Sequence, residues 1–438
     1  MKTKLLLAFL LIGIECQAQY FSGRFTTSFY TWQAREAGIA QPGSTTAPAA
    51  TKLTLARLYE NVQADVLGTN FGLNINAQVS KDLGTQIGTD PELRLSQLTL
   101  KARRVADVAD VAVGRQFVMA GVGTGYLDGG VLKMSFLEGR VGAQAFGGYS
   151  LIDTRTINLK KKIGDNAFYG GQISAEPFTD VLVGFSYMKK SRERDSFQLT
   201  KLDSLFNPTV VTMSFDPQEE ELAGFDLRYG ITTETDLYLR TDYDLNNERV
   251  HRVEASGRAQ VLPALAVTAD YIYRMPRLQF NSIFSVFSYN ETQEIEGGVE
   301  YEFAPATRAY ARYGYVKYAD ENSGRIRLGG QWEFLNVSYS NNFGYAGDFN
   351  GISLQAVYPT ADRIFVPSIG FGYAKYKISN DAESNNVMNA NIGLTYRPMP
   401  MLAADIQAQW IQNPVYDNDF RVFLKFNYIF SKRLLNWF

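Results

Sequence analysis

The sequence predicts an all-β chain: about 22 antiparallel strands (range roughly 18–24) closed into an up-and-down barrel that crosses a membrane. Three observations predict it. Runs of residues alternate between apolar and polar with a period of two, the mark of strands with unlike faces. The connections between runs are short at every second position and longer at the others. Past the N-terminal segment, no stretch of about eighteen apolar residues could cross a bilayer as a helix.

The chain of 438 residues opens MKTKLLLAFLLIGIECQAQ. Lys2 and Lys4 form a positive start, residues 5–14 an apolar run, and Cys16-Gln17-Ala18 a small-x-small cleavage site. The expected organisation is a secretory signal peptide over 1–18 and one transmembrane barrel over 19–438. A lipoprotein would acylate Cys16, but Glu15 stands where a small residue should precede it. Cleavage removes the single cysteine. Disulfides, thioether-linked haem and cysteine zinc sites are thereby excluded. The first strand begins almost at the cleavage site, which leaves no room for an N-terminal plug domain.

In order, the alternating segments are 20–32, 53–67, 70–80, 93–105, 110–117, 130–138, 140–150, 167–175, 180–189, 221–230 and 235–245. They continue with 249–261, 264–275, 291–303, 307–319, 323–334, 335–342, 350–358, 363–377, 387–397, 401–411 and 420–430. Connections after even segments are tight and rich in Pro or Gly, such as GT, EPFT, LP, APA and MP. Those after odd segments tend to be longer and more polar, notably 33–52, 81–91, 118–129, 151–166, 190–220 and 276–290. Such segregation places both termini on one side and makes the strand count even. The loop 190–220 has alternating runs of its own and is expected to raise a hairpin above the membrane.

The clearest faces lie between 291 and 334. In 291–303, Ile295, Gly297, Val299, Tyr301 and Phe303 oppose Glu294, Glu296, Glu300 and Glu302. In 307–319, Ala309, Ala311, Tyr313 and Tyr315 oppose Arg308, Tyr310 and Arg312. In 323–334, Ile326, Leu328, Trp332 and Phe334 oppose Arg325, Arg327, Gln331 and Glu333. A sandwich would turn the apolar face to a core; a membrane barrel turns it to lipid and the polar face to a lumen. Composition favours the barrel: 13 % aromatic, with 26 Tyr and 29 Phe against one His, suits two interfacial girdles. One segment resists, because in 110–117 Arg115 shares a parity with Val111 and Val113, which calls for a bulge or a different register.

The polar residues named above are the expected pore lining, joined by Arg24, Arg240, Asp242, Arg252, Glu254, Arg258, Asp270, Asp405, Arg421 and Lys425. Glutamates on one strand beside arginines on the next two would set a transverse field across a pore, or form a salt-bridge ladder supporting its wall. The signs are mixed with a slight basic excess, which suggests only a weak preference for anions. A net charge of −2 and no basic block exclude nucleic acid. His251, on the face of Val253 and Ala255, is expected at the outer rim and not in catalysis. GVGTG at 121–125 lacks the lysine and helix of a nucleotide loop. No carboxylate and histidine spacing suggests a metal.

Val113-Gly114-Arg115-Gln116-Phe117, followed by VMAGVGTGYLDGG, resembles the Gly-Arg-Gln strand before the third external loop of general bacterial outer-membrane porins. The terminal Phe438 after an alternating aromatic strand is similar to their assembly signal. On this resemblance residues 118–129 are the candidate constriction loop, with Gly121, Gly123, Tyr126 and Asp128 its notable members. It implies a Gram-negative outer-membrane channel for passive diffusion of small polar or charged solutes, without cofactor or chemistry. Implied partners are those solutes, outer-membrane lipid, the barrel-assembly machinery through the C-terminal strand, and further copies of the chain. Two other classes stay open: a barrel scaffold docking a protein such as an electron carrier, and an outer-membrane hydrolase.

Overall fold

The computed structural model describes residues 18–36, 51–85, 90–151, 164–193, 196–202, 208–213, 218–276, 290–318, 321–344, 348–377, 382–414 and 418–433. The expected signal segment up to residue 17, the terminal Phe438 and parts of the expected long connections lie outside the described residues.

The first twelve strands are β1 (Ala18–Glu36), β2 (Thr51–Gly68), β3 (Phe71–Asp82), β4 (Glu92–Val105), β5 (Ala109–Ala120), β6 (Gly123–Phe136), β7 (Val141–Ser150), β8 (Ala167–Phe178), β9 (Val181–Arg192), β10 (Phe197–Leu202), β11 (Pro208–Met213) and β12 (Gln218–Thr232). The rest are β13 (Thr235–Asp244), β14 (Arg249–Leu262), β15 (Leu265–Arg274), β16 (Thr292–Ala304), β17 (Thr307–Lys317), β18 (Asn322–Trp332), β19 (Leu335–Gly344), β20 (Phe349–Val357), β21 (Phe365–Tyr376), β22 (Asn385–Met399), β23 (Leu402–Gln412) and β24 (Asp419–Arg433).

Chain neighbours pair antiparallel throughout the ring. β9 pairs with β12, and β24 pairs with β1, Tyr20 lying opposite Arg433, so a sheet of 22 strands closes on itself. The remaining two, β10 and β11, form a separate hairpin within the connection from β9 to β12, where alternation within 190–220 anticipated one. On one side, β2–β3, β8–β9, β12–β13, β14–β15, β16–β17, β18–β19 and β22–β23 are joined by two residues each. Such tight turns demand left-handed backbone, and Asp180, Ala306 and Glu333 adopt φ of 66°, 60° and 44°.

The two faces differ as the alternation requires. Ile173, Phe185, Ile295, Ile369 and Ile392 are each at least 60 % exposed on the outer face. A sandwich core would have buried them; hydrocarbon can cover them at no cost. Closure matters for the same reason, since an open edge would leave unpaired N–H and C=O groups in lipid. A buried apolar cluster lies inside the ring. Val118, Ala120, Val122, Leu127 and Val131 from β5, β6 and their turn pack there with Phe146, Phe168, Met188 and Leu222 of β7, β8, β9 and β12.

Two expectations about the strands need correction. The expected loop 118–129 is nearly all strand: β5 runs to Ala120, β6 starts at Gly123, and only Gly121 and Val122 turn. Val118, Met119 and Ala120 continue the pairing against Gly125, Thr124 and Gly123, past the point where Gly-rich composition suggested a loop. Glu333, expected on the pore wall, occupies the two-residue turn between β18 and β19 and is exposed. Alternation carries no meaning once the chain leaves the sheet.

Candidate functional site: a charged arc and an inward hairpin

The first part of the site is an arc of the inner face on β14–β18. Glu296, 3 % exposed, accepts a hydrogen bond from Arg325 at 3.0 Å, pairs closely with Arg327, and lies 3.7 Å from Arg312. Glu300 takes Nη2 of Arg312 at 2.7 Å and Nε of Arg258 at 3.7 Å, while Glu294 pairs with Arg325. Register builds this network. Gly298 stands opposite Arg312, and Gly314 opposite Glu296. A Cβ on Gly298 would come within 2.6 Å of Arg312 Cγ, so the absent side chain is what lets the guanidinium lie across β16. Asp270 sits opposite Glu296 on β15.

Of the two readings of these charges, the geometry is that of the ladder. Opposite charges meet within 4 Å on neighbouring strands. Glu302 and Arg308 face each other in register without an ion pair. Elsewhere on the inner face Arg240 binds Asp242 at 2.9 Å, Arg252 pairs with Glu254, and Arg421 binds Asp419 and the Tyr30 hydroxyl. Asp405 accepts from the Thr395 hydroxyl at 2.6 Å, and Lys425 and Arg24 line a common recess near the short-turn side. His251 falls at a register shift, where Asp242 pairs with Arg252 but Tyr243 with Val250.

The second part is the β5–β6 hairpin. β5 leaves β4 after Arg115, and β6 joins β7 only from Leu127. Between these points the two strands pair with each other, from Phe117 opposite Tyr126 to Ala120 opposite Gly123, with the Leu151 amide also donating to the Tyr126 carbonyl at 3.1 Å. Gly114 makes the departure possible. Its φ is +124°, and a Cβ there would stand 2.2 Å from the Leu98 carbonyl oxygen; the register runs through Gly114 and Arg115 without the bulge that parity suggested. At the hinge Arg115, 5 % exposed, grips Asp128 with two bonds of 2.8 Å and donates to the Leu95 carbonyl at 3.2 Å. Asp128 is therefore a hinge residue and not the charge of a loop tip.

From the hinge the hairpin crosses the inner wall. The Val122 amide donates to Ser186 Oγ of β9 at 3.1 Å, and Arg240 of β13 reaches the Gly121 carbonyl at 3.5 Å. One face of the hairpin (Val118, Ala120, Leu127) is buried on Phe146, Phe168, Met188 and Leu222. The opposite face carries Phe117, 51 % exposed, and Met119, 72 % exposed, with the rings of Phe117 and Tyr126 edge to face at 5.0 Å. Because the buried face lies on the wall, Phe117 and Met119 are turned to the lumen. Phe146, Phe168, Met188 and Leu222 escaped the sequence reading; the signal available was apolar residues on the lumen parity of adjacent strands.

No protein-family model matches the sequence, and no curated protein matches it. Among solved structures the chain is similar to OccAB4 of Acinetobacter baumannii, at 12 % identity and TM-score 0.42 over 95 % of this chain and 100 % of that one. It is similar to OpdK of Pseudomonas aeruginosa, solved with vanillate, at 8 % identity and TM-score 0.42 over 94 % and 99 %. It is also similar to the translocation pore of the P pilus usher PapC, at 8 % identity and TM-score 0.48 over 94 % and 99 %.

Proposed function

We propose that the chain is an outer-membrane channel of a Gram-negative bacterium through which small polar or charged solutes diffuse passively. The observation that carries this reading is the polar interior of a closed ring, narrowed from within by the β5–β6 hairpin. A ring of 22 strands is too wide for its own side chains to fill, so water occupies what the hairpin leaves open. Lipid covers the apolar outer face, the side of two-residue turns faces the periplasm, and the assembly machinery engages β24. The inner residues Glu294, Glu296, Glu300, Arg312, Arg325 and Arg327 line the path, and passage asks no chemistry of them.

Conductance in planar bilayers tests it. The purified protein should give stepwise currents in potassium chloride. Protein that inserts, as judged by the heat-dependent gel mobility of a folded barrel, yet gives no steps would overturn the channel. Current arising only once residues 116–127 are deleted would instead favour a sheath around a partner.

A further inference from the structure

A recess of about 410 Å³ opens from the lumen into the wall formed by β17–β20. Its lining departs from the arc beside it. Two adjacent rows of inner-face residues cross the four strands. One runs Arg308, Gln331, Asn336, Gln355; the next runs Tyr310, Gly329, Ser338, Ser353. In the arc guanidinium meets carboxylate, whereas here neutral amides and hydroxyls predominate. At strand spacings of about 4.8 Å each row spans roughly 14 Å.

Three details give the recess a chemistry. Amides of Gln331, Asn336 and Gln355 each offer both a donor and an acceptor, and the hydroxyls of Ser338 and Ser353 stand 3.0 Å apart with spare lone pairs. The Tyr310 ring lies over Gly329, where a Cβ would come within 2.5 Å of it, so a flat apolar surface floors one end. Arg308 is the exposed cation of the recess and has no ion pair within 4 Å among the described residues. Glu300, the carboxylate that also lines the recess, is engaged by Arg312 and Arg258.

We infer that this recess binds a polyhydroxylated solute bearing one acidic group, a sugar acid of one or two rings. Its hydroxyls exchange hydrogen bonds with the amide and serine rows, its ring C–H face rests on Tyr310, and its carboxylate meets Arg308 in a charge-assisted pair. An aliphatic acid would leave the rows unpaired, and a cation would meet Arg308 unfavourably. The inference rests on the lumen reading, since the recess must be open to solutes in transit.

Isothermal titration of glucuronate into the whole purified barrel in detergent tests it, because it reads binding and not conduction. Saturable binding of glucuronate is expected, with glucose weaker by about tenfold for losing one hydrogen bond to a charged group, and acetate weaker by about tenfold or more for leaving the amide and serine rows without their hydroxyl partners. Arg308→Gln should weaken glucuronate about tenfold and glucose less; Gln331→Leu should weaken both. Each variant is first checked for folded-barrel gel mobility. Absence of saturable binding, or equal binding of acetate and glucuronate, overturns the site. Conduction without this binding removes the inference alone, while binding without conduction removes the channel alone.

Discussion

Releasing the β5–β6 hairpin takes two perturbations, and the sizes of the contacts say why. Docking buries Val118, Val122 and Leu127, at 2 %, 6 % and 0 % exposure, each worth about 1.5–3 kcal/mol, or roughly 5–9 kcal/mol gross. Asp128→Asn takes away the carboxylate that receives two bonds from Arg115, a loss of about 1.5–3 kcal/mol. Alone, that leaves the hairpin docked but loosened at its hinge. Phe168→Ala removes a fully buried ring of the wall beneath it, about 3–5 kcal/mol more. The double variant therefore loses about as much as docking supplies. Single-channel recording should show wild-type conductance with added flicker for Asp128→Asn and a larger, steadier conductance for the double variant. Limited proteolysis should then cut within 116–126. A double variant with wild-type conductance and an uncut hairpin would refute the assignment of the constriction.

Other expectations are independent of that one. Glu296→Gln leaves Arg327 without its carboxylate and adds one positive charge to the arc, so the reversal potential should shift toward anions and stability to urea should fall by about 3 kcal/mol. With the single cysteine of the sequence at Cys16, Met119→Cys should make the conductance sensitive to a charged thiol reagent, whereas Ile295→Cys on the outer face should not. In the turn between β20 and β21, the Thr360 hydroxyl at 2.6 Å and the Ile364 amide at 3.0 Å hold the Asp362 carboxyl below its usual range. Its contribution to turn order is thus present above the unfolded pKa and lost as pH falls through the lower folded one. Amide exchange at Ile364 should show protection at neutral pH that fades in acid, and Asp362→Asn should remove that dependence.

The strands were legible because their signal is local. Each residue's neighbour two along shares its face, so Ile295, Val299 and Phe303 could be assigned to lipid, and Glu296 and Arg312 to the interior, without knowing any partner. The hairpin was legible only as a possibility. Gly-Arg-Gln pointed to it, but its path is set by contacts from Gly121 to Arg240 and from Val118 to the wall, which no window of sequence contains. For the same reason Glu and Arg could be placed side by side while their pairing could not be told; register decides it, through Gly298 and Gly314. Glu333 shows the converse, a residue that keeps the rhythm of its strand for one step after the strand has ended.

The meeting of Tyr20 with Arg433 has a consequence for biosynthesis. The strand made first must wait for the one made last, because every shorter product of translation has two raw edges able to pair with a neighbour. Growth of the sheet can proceed hairpin by hairpin, but the bonds between β1 and β24 join strands far apart in the chain and need both to be present. Truncation before β24 should therefore yield aggregates instead of a smaller barrel.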